Sequence, residues 1–228
     1  MRRDDPNLEY LLVVAGALGD LCNDVVFVGG SVAGLLITDP VAEGIRATRD
    51  VDAIVEAATL AQYHQVEERL PALGFTRDAA CEVICRWRHQ ATGVLFDLMP
   101  TDPTVLGFSN PWYPEAVATA THIRIADGVE VRVISPPVFI ATKLEAFISR
   151  GGGDFASSHD LEDIFNVVDG RTSIVDELRT ASDALQQYVR ERLGALLSQP
   201  NFENYLPGLL TDESRVEIVL SRLKNMAA

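Results

Sequence analysis

Two aspartates one residue apart, Asp50 and Asp52 in "TRDVDAIV", carry the clearest chemical potential in this chain. If Val51 to Val55 is a strand, its alternation turns both carboxylates to one face and Val51 into the core. Two carboxylates so close repel each other. A solvated strand end tolerates that repulsion, and a divalent cation turns it to advantage, because Mg²⁺ prefers carboxylate oxygens together with substrate phosphates. A third acid, Asp97, interrupts the apolar run "VLFDLMP", where a lone charge needs a reason. On a strand beside Asp50 and Asp52 it would serve as a metal ligand or as the base that activates a hydroxyl. The alternatives are an acidic, solvated strand start for the pair and an exposed acid near a strand end for Asp97.

Gly29, Gly30 and Ser31 follow the β-branched run Val25 to Val28. Glycine lets backbone approach a phosphate, and a helix N-terminus after the turn favours negative charge. A tight strand–helix turn with a serine cap explains the same residues. Downstream, helical spacing in "PPVFIATKLEAFISR" places Ile140, Leu144 and Phe147 on a buried face, with Lys143 and Arg150 along one flank. In "HDLEDIFNVV" the core stripe is Leu161, Ile164, Phe165 and Val168. Asp160 falls roughly 90° from that stripe, with His159 and Asp163 pointing further outward. Lys143 and Asp160 thus hold semi-buried positions near Gly151-Gly152-Gly153, unless they are ordinary solvated helix charges.

The elements that would position these residues follow from periodicity. Asn7 to Asp20 reads as a helix, Val25 to Val28 as a strand, and Ser31 to Ile37 as a short capped helix closed by Asp39-Pro40. Val41 to Arg49 reads as a loop, Val51 to Val55 as a buried strand, and Thr59 to Leu70 as a helix ending near Gly74. Strands over Cys81–Arg88 and Thr92–Leu98 flank His89-Gln90 as a hairpin. A Pro-rich loop from Met99 to Pro114 precedes strands His122–Ile125 and Val129–Val133 around Asp127-Gly128. After Ser135-Pro136-Pro137 the period becomes helical, over Val138–Arg150, Ser158–Val168, Ile174–Leu197 and Asp212–Asn225. An α/β portion (residues 1–134) followed by a helical bundle (135–228) is expected.

Composition narrows the function classes. The 228 residues carry 19 basic and 33 acidic side chains, a net charge of −14. Extended binding to nucleic acid needs Lys/Arg to neutralise phosphates, so no broad nucleic-acid surface is expected, and an RNA substrate would need a local basic patch. A cationic small molecule or basic partner suits the overall field. No apolar run spans a bilayer, and acids rather than basic residues precede Leu11–Leu18, so no membrane segment and a cytoplasmic location are expected. Three cysteines fit that compartment, and Cys81 and Cys85 lack zinc-like spacing.

Taken in order, "VGGSVAGLL", "IRATRDVDAIV", "FDLMP", "ATKLEAFISRG" and "HDLEDIFNVV" resemble the nucleotidyltransferase superfamily. More narrowly, they resemble the AbiEii/AbiGii-type bacterial toxin group, over about Val25 to Val168. The resemblance implies a mixed sheet flanked by helices, with a helical C-terminal part. It implies that Gly30 and Ser31, beside Gly29, hold a nucleoside triphosphate (NTP). Asp50 and Asp52 would bind Mg²⁺, with Asp97 as third carboxylate. Arg46 and Thr48 would orient the loop or the phosphates, Lys143 would reach the triphosphate, and Asp160 would position that lysine or act near the acceptor. Eighteen residues separate Ser31 from Asp50, more than the simplest superfamily spacing.

The expected activity is Mg²⁺-dependent transfer of a nucleoside monophosphate to an acceptor hydroxyl. The toxin resemblance implies tRNA or protein as the acceptor, with a separately encoded antitoxin. A cationic antibiotic of aminoglycoside type is the second reading, which the charge favours. A non-catalytic module that binds a nucleotide or a partner is the third.

Overall fold

β-branched and apolar runs assemble into one seven-stranded sheet. Its strands are β1 (Val25–Val28), β2 (Asp50–Val55), β3 (Phe75–Arg77), β4 (Arg86–His89), β5 (Leu95–Pro100), β6 (Thr121–Ala126) and β7 (Val129–Val133). Their spatial order is β3-β4-β5-β2-β1-β7-β6. The pairs β2/β5 and β1/β7 run parallel, and the other neighbours are antiparallel, so the sheet is mixed. The computed structural model describes residues 5–77, 83–150, 155 and 157–228. The chain divides into two compact units.

The sheet unit comprises residues 5–32 and the described part of 47–135. Helix Leu8–Leu18 packs on β2 and β7, burying Leu11, Val14, Ala15 and Leu18. Gly128, at φ 75°, closes the β6/β7 hairpin, and Gly93, at φ 76°, closes the β4/β5 hairpin. Both turns need the left-handed backbone that glycine adopts at no steric cost. β3 was not expected: at three residues it is too short to show alternation, and only Phe75 is buried. The strand expected over Cys81–Arg88 is Arg86–His89, and Cys81 lies outside the described residues. The expected loop from Met99 to Pro114 contains a short helix, Pro103–Leu106, and leads into Tyr113–Ala118. Asp102 caps the first by accepting the Thr104 N–H at 2.8 Å.

The helical unit comprises residues 33–46 and the described part of 136–228. Helix Pro136–Ser149 packs against His159–Gly170 and Asp183–Leu197, and Val216–Ala227 packs against the last two. The single expected helix Ile174–Leu197 is two, Ile174–Arg179 and Asp183–Leu197. The break lies at Ser182, whose hydroxyl accepts the Leu185 N–H at 3.2 Å and starts the second helix. Asp212 similarly caps a 3₁₀ turn, Glu213–Arg215, before Val216–Ala227.

Residues 33–46, which the sequence reading kept with the N-terminal portion, pack with the C-terminal helices. Thr38 and Asp39 donate backbone N–H groups to the Gly170 carbonyl at 2.9 and 2.8 Å. A Cβ on Gly170 would fall 2.8 Å from Ile37 Cγ1, so the absent side chain permits this approach. Arg215 ties the segment down with bonds to Asp169 at 2.6 Å and Asp39 at 2.8 Å. No helix among the described residues is long and apolar enough to cross a membrane.

Candidate active site

The sheet unit gathers all three aspartates. Parallel register sets Asp52 opposite Asp97 and Asp50 opposite Leu95. Paired residues across a ladder share a face, so Asp50, Asp52 and Asp97 project to the same side while Val51 and Ala53 fill the core. On the far side of β2, Val28 is the partner of Asp52, so β1 delivers the glycine turn next to that carboxylate. Gly29 has φ 72°, and a Cβ there would lie 2.8 Å from Asp52 Cγ. Glycine is required at this position twice over, by backbone conformation and by the close approach of the acid.

The turn is built differently from the expected serine-capped helix over Ser31 to Ile37. Gly30–Val32 is a 3₁₀ turn, and the α-helix after it is only Ala33–Leu36. Four residues align few peptide dipoles, so the macrodipole contributes little here. Ser31 is fully buried and sits inside the turn rather than capping a helix, its hydroxyl donating to the Val28 carbonyl at 3.5 Å.

One residue that the sequence reading passed over joins the carboxylates. Arg86 on β4 is the register partner of Asp97. Its Nε donates to Asp97 Oδ1 at 2.8 Å, and its Nη2 donates to Asp97 Oδ2 at 2.6 Å and Asp50 Oδ2 at 2.8 Å. A bidentate guanidinium–carboxylate pair is strong and geometrically specific. It offsets the repulsion of three acids on adjacent strands. Asp97 is 6% exposed, so it is a buried, paired charge and not an exposed acid near a strand end. The signal for Arg86 was present: counting outwards from the His89–Gly93 turn pairs it with Asp97.

Other buried contacts hold the row in place. Tyr63, fully buried in helix Leu60–Glu67, donates its hydroxyl to the Leu98 carbonyl at 2.6 Å. Leu98 N–H bonds the Cys85 carbonyl at 3.0 Å, locking β5 to β4 beside Asp97 and Arg86. Burial pushes the Cys85 thiol up to about 12, with Asp97 and Asp52 adding to the shift. Thr48 donates N–H to Asn7 Oδ1 at 2.8 Å and its hydroxyl to the Asp50 carbonyl at 3.0 Å. Thr48 therefore anchors the entry into β2.

The remaining expected site residues gather in the helical unit. Lys143 Nζ lies 3.2 Å from Asp160 Oδ1 and 2.6 Å from Asp163 Oδ2. Arg150 reaches Asp160 Oδ2 at 3.2 Å. Arg46 grips Asp163 with two bonds, at 3.1 and 3.0 Å. The placement of Asp163 corrects the helical-wheel expectation: it does not point outward but is 0% exposed. Helix His159–Gly170 is covered on a second face by residues 33–46, which the stripe alone did not reveal. Burial pushes the Asp163 carboxyl upward, but Lys143 and Arg46 outweigh this and hold it below the ordinary carboxylate range. Gly151-Gly152-Gly153 lies outside the described residues.

Asp50, Asp52 and Asp97 project to one face, where Arg86 holds Asp97 and Asp50, and among the described residues no group of three or more His, Cys, Asp or Glu side chains is gathered to hold a metal ion. No protein-family model matches the chain, and no curated protein matches it.

Proposed function

We propose that the protein is a Mg²⁺-dependent nucleotidyltransferase. The observation that supports this reading is the Asp52–Asp97 register, which sets three carboxylates side by side at the edge of a glycine turn. Mg²⁺, when bound, supplies positive charge to the phosphate oxygens. The acceptor hydroxyl oxygen forms a bond to the α-phosphorus while the bond to the β-phosphate bridging oxygen breaks and pyrophosphate leaves. Asp97 accepts the hydroxyl proton, and Asp52, fixed against Gly29, keeps the carboxylate row in register. The acceptor is a hydroxyl of tRNA or protein, with a separate antitoxin as the controlling partner.

A second reading, a cationic antibiotic as acceptor, is favoured by the net charge of −14. A third, nucleotide binding without turnover, is favoured by Arg86, which engages both oxygens of Asp97. One experiment separates them. Purified protein with Mg²⁺ and each α-³²P-labelled NTP is offered bulk tRNA, cell protein or aminoglycosides, beside the Asp50→Ala/Asp52→Ala variant. Label in one fraction, lost in the variant, names the acceptor class. Full transfer by that variant would sink the carboxylate mechanism, and NTP binding without label would support the binding module.

A further inference from the structure

We propose that the helical unit holds a binding site for a small aromatic carboxylate, in a cavity between helices Pro136–Ser149 and Asp183–Leu197. The cavity has a volume of about 140 Å³ and is open on one side. Leu144, Phe147 and Ile148 wall it from the first helix, and Ala195 and Leu196 from the second. The space follows from one short side chain. Tyr188, Arg192 and Ala195 stand at i, i+4 and i+7, so they share a stripe beside the buried one of Leu185, Val189 and Leu193. Tyr188 crosses to the first helix and donates its hydroxyl to Glu145 Oε2 at 2.6 Å. Further along the stripe Ala195 offers only a methyl, and the gap beside Leu144 and Phe147 stays unfilled.

Size and charge select the occupant. An apolar cavity of about 150 Å³ takes one benzene ring, and this space is close to that size. Phe155 packs against Phe147 with ring centroids 5.5 Å apart, so a guest ring meets an aromatic wall. Arg192 lines the same cavity, and its guanidinium carbon lies 5.2 Å from the Tyr188 ring centroid. A guanidinium laid on a ring is held by its face, which turns its N–H edge toward whatever lies beside the ring. A carboxylate meets that edge with two parallel bonds, and a neutral ring leaves the cation without a counter-charge. The net charge of −14 opposes anions at long range, so selection for the carboxylate falls to Arg192 at contact. The site belongs to the helical unit alone and does not depend on nucleotidyl transfer.

The test titrates ¹⁵N-labelled full-length protein with phenylacetate and, separately, with benzyl alcohol, a ring of similar size without the charge. Phenylacetate is expected to shift the Leu144, Phe147 and Leu196 amides saturably, with a Kd on the order of 1 mM. Benzyl alcohol should shift the same amides and bind about tenfold more weakly. Arg192→Gln should bring phenylacetate down to the affinity of benzyl alcohol and leave benzyl alcohol unchanged. Ala195→Phe, at an exposed helix position, should fill the cavity and abolish both. No saturable shift at these amides, or saturable shifts confined to other residues, would overturn the proposal. Equal affinity of wild type for the two ligands would also overturn it, since that describes an apolar gap without a carboxylate site. So would undiminished binding by Ala195→Phe. If that variant does not fold, the wild-type and Arg192→Gln titrations decide.

Discussion

Asp52 and Asp97 are direct partners across the parallel β2/β5 ladder. Like charges directly opposite destabilise a sheet, so this pair persists because Arg86 stands next in the same cross-strand row. The row runs Arg86, Asp97, Asp52, Val28 over four strands, and Gly29 follows immediately at its end.

Gly29→Ala tests the end of the row. A left-handed backbone costs an L-residue about 1–2 kcal/mol, and the new methyl would also displace the Asp52 carboxylate. Urea unfolding should show a loss of at least about 2 kcal/mol. Unchanged stability would mean that the turn relaxes without disturbing Asp52.

Tyr63→Phe tests how β5 is held. The change removes the 2.6 Å bond and leaves the Leu98 carbonyl without that donor in the core. A loss of about 1–3 kcal/mol is expected, with the denaturant slope unchanged. A neutral substitution would show that β4/β5 pairing suffices to fix Asp97.

Asp163 gives a pH signature. Its carboxyl is held below its ordinary value in the folded chain and returns to about 3.9 on unfolding. Its stabilisation is therefore fully present above the unfolded value and is lost as pH falls through the depressed folded one. Asp163→Asn should cost about 3 kcal/mol at pH 7, because Lys143 and Arg46 lose a buried partner. Urea titrations should show the gap between wild type and variant narrowing below about pH 4. A gap independent of pH from 7 to 3 would assign the cost to packing rather than charge.

The cysteines give a chemical check. Burial pushes the Cys22 thiol up to about 11 and that of Cys85 up to about 12. Thiolate is the reactive form, so iodoacetamide at pH 8 should leave both unmodified in the native protein and alkylate both in urea. Peptide mass spectrometry reads each separately. Native modification of Cys85 would show that β4 opens beside Arg86.

Local order alone sufficed for part of this picture. Alternation along "DVDAIV" put Asp50 and Asp52 on one face, Asp127-Gly128 announced a hairpin, and the change of period after Pro136 marked the helices. Each of these depends on residues a few positions apart, whose directions are set by the strand or helix they share. The Asp52–Asp97 register was only a conditional expectation, since it depends on which strands become neighbours.

What tertiary structure alone decided lies between elements. The Arg86 fork follows from β4 lying beside β5, and its reach to Asp50 from β2 lying next. The same holds in the helical unit, where a wheel drawn for His159–Gly170 shows one apolar stripe and turns Asp163 outward. Residues 33–46, brought back by Arg46 and Arg215, cover that side and bury it. Periodicity records how a side chain points from its own axis. What meets it there depends on packing between segments distant in the chain, which no local spacing encodes.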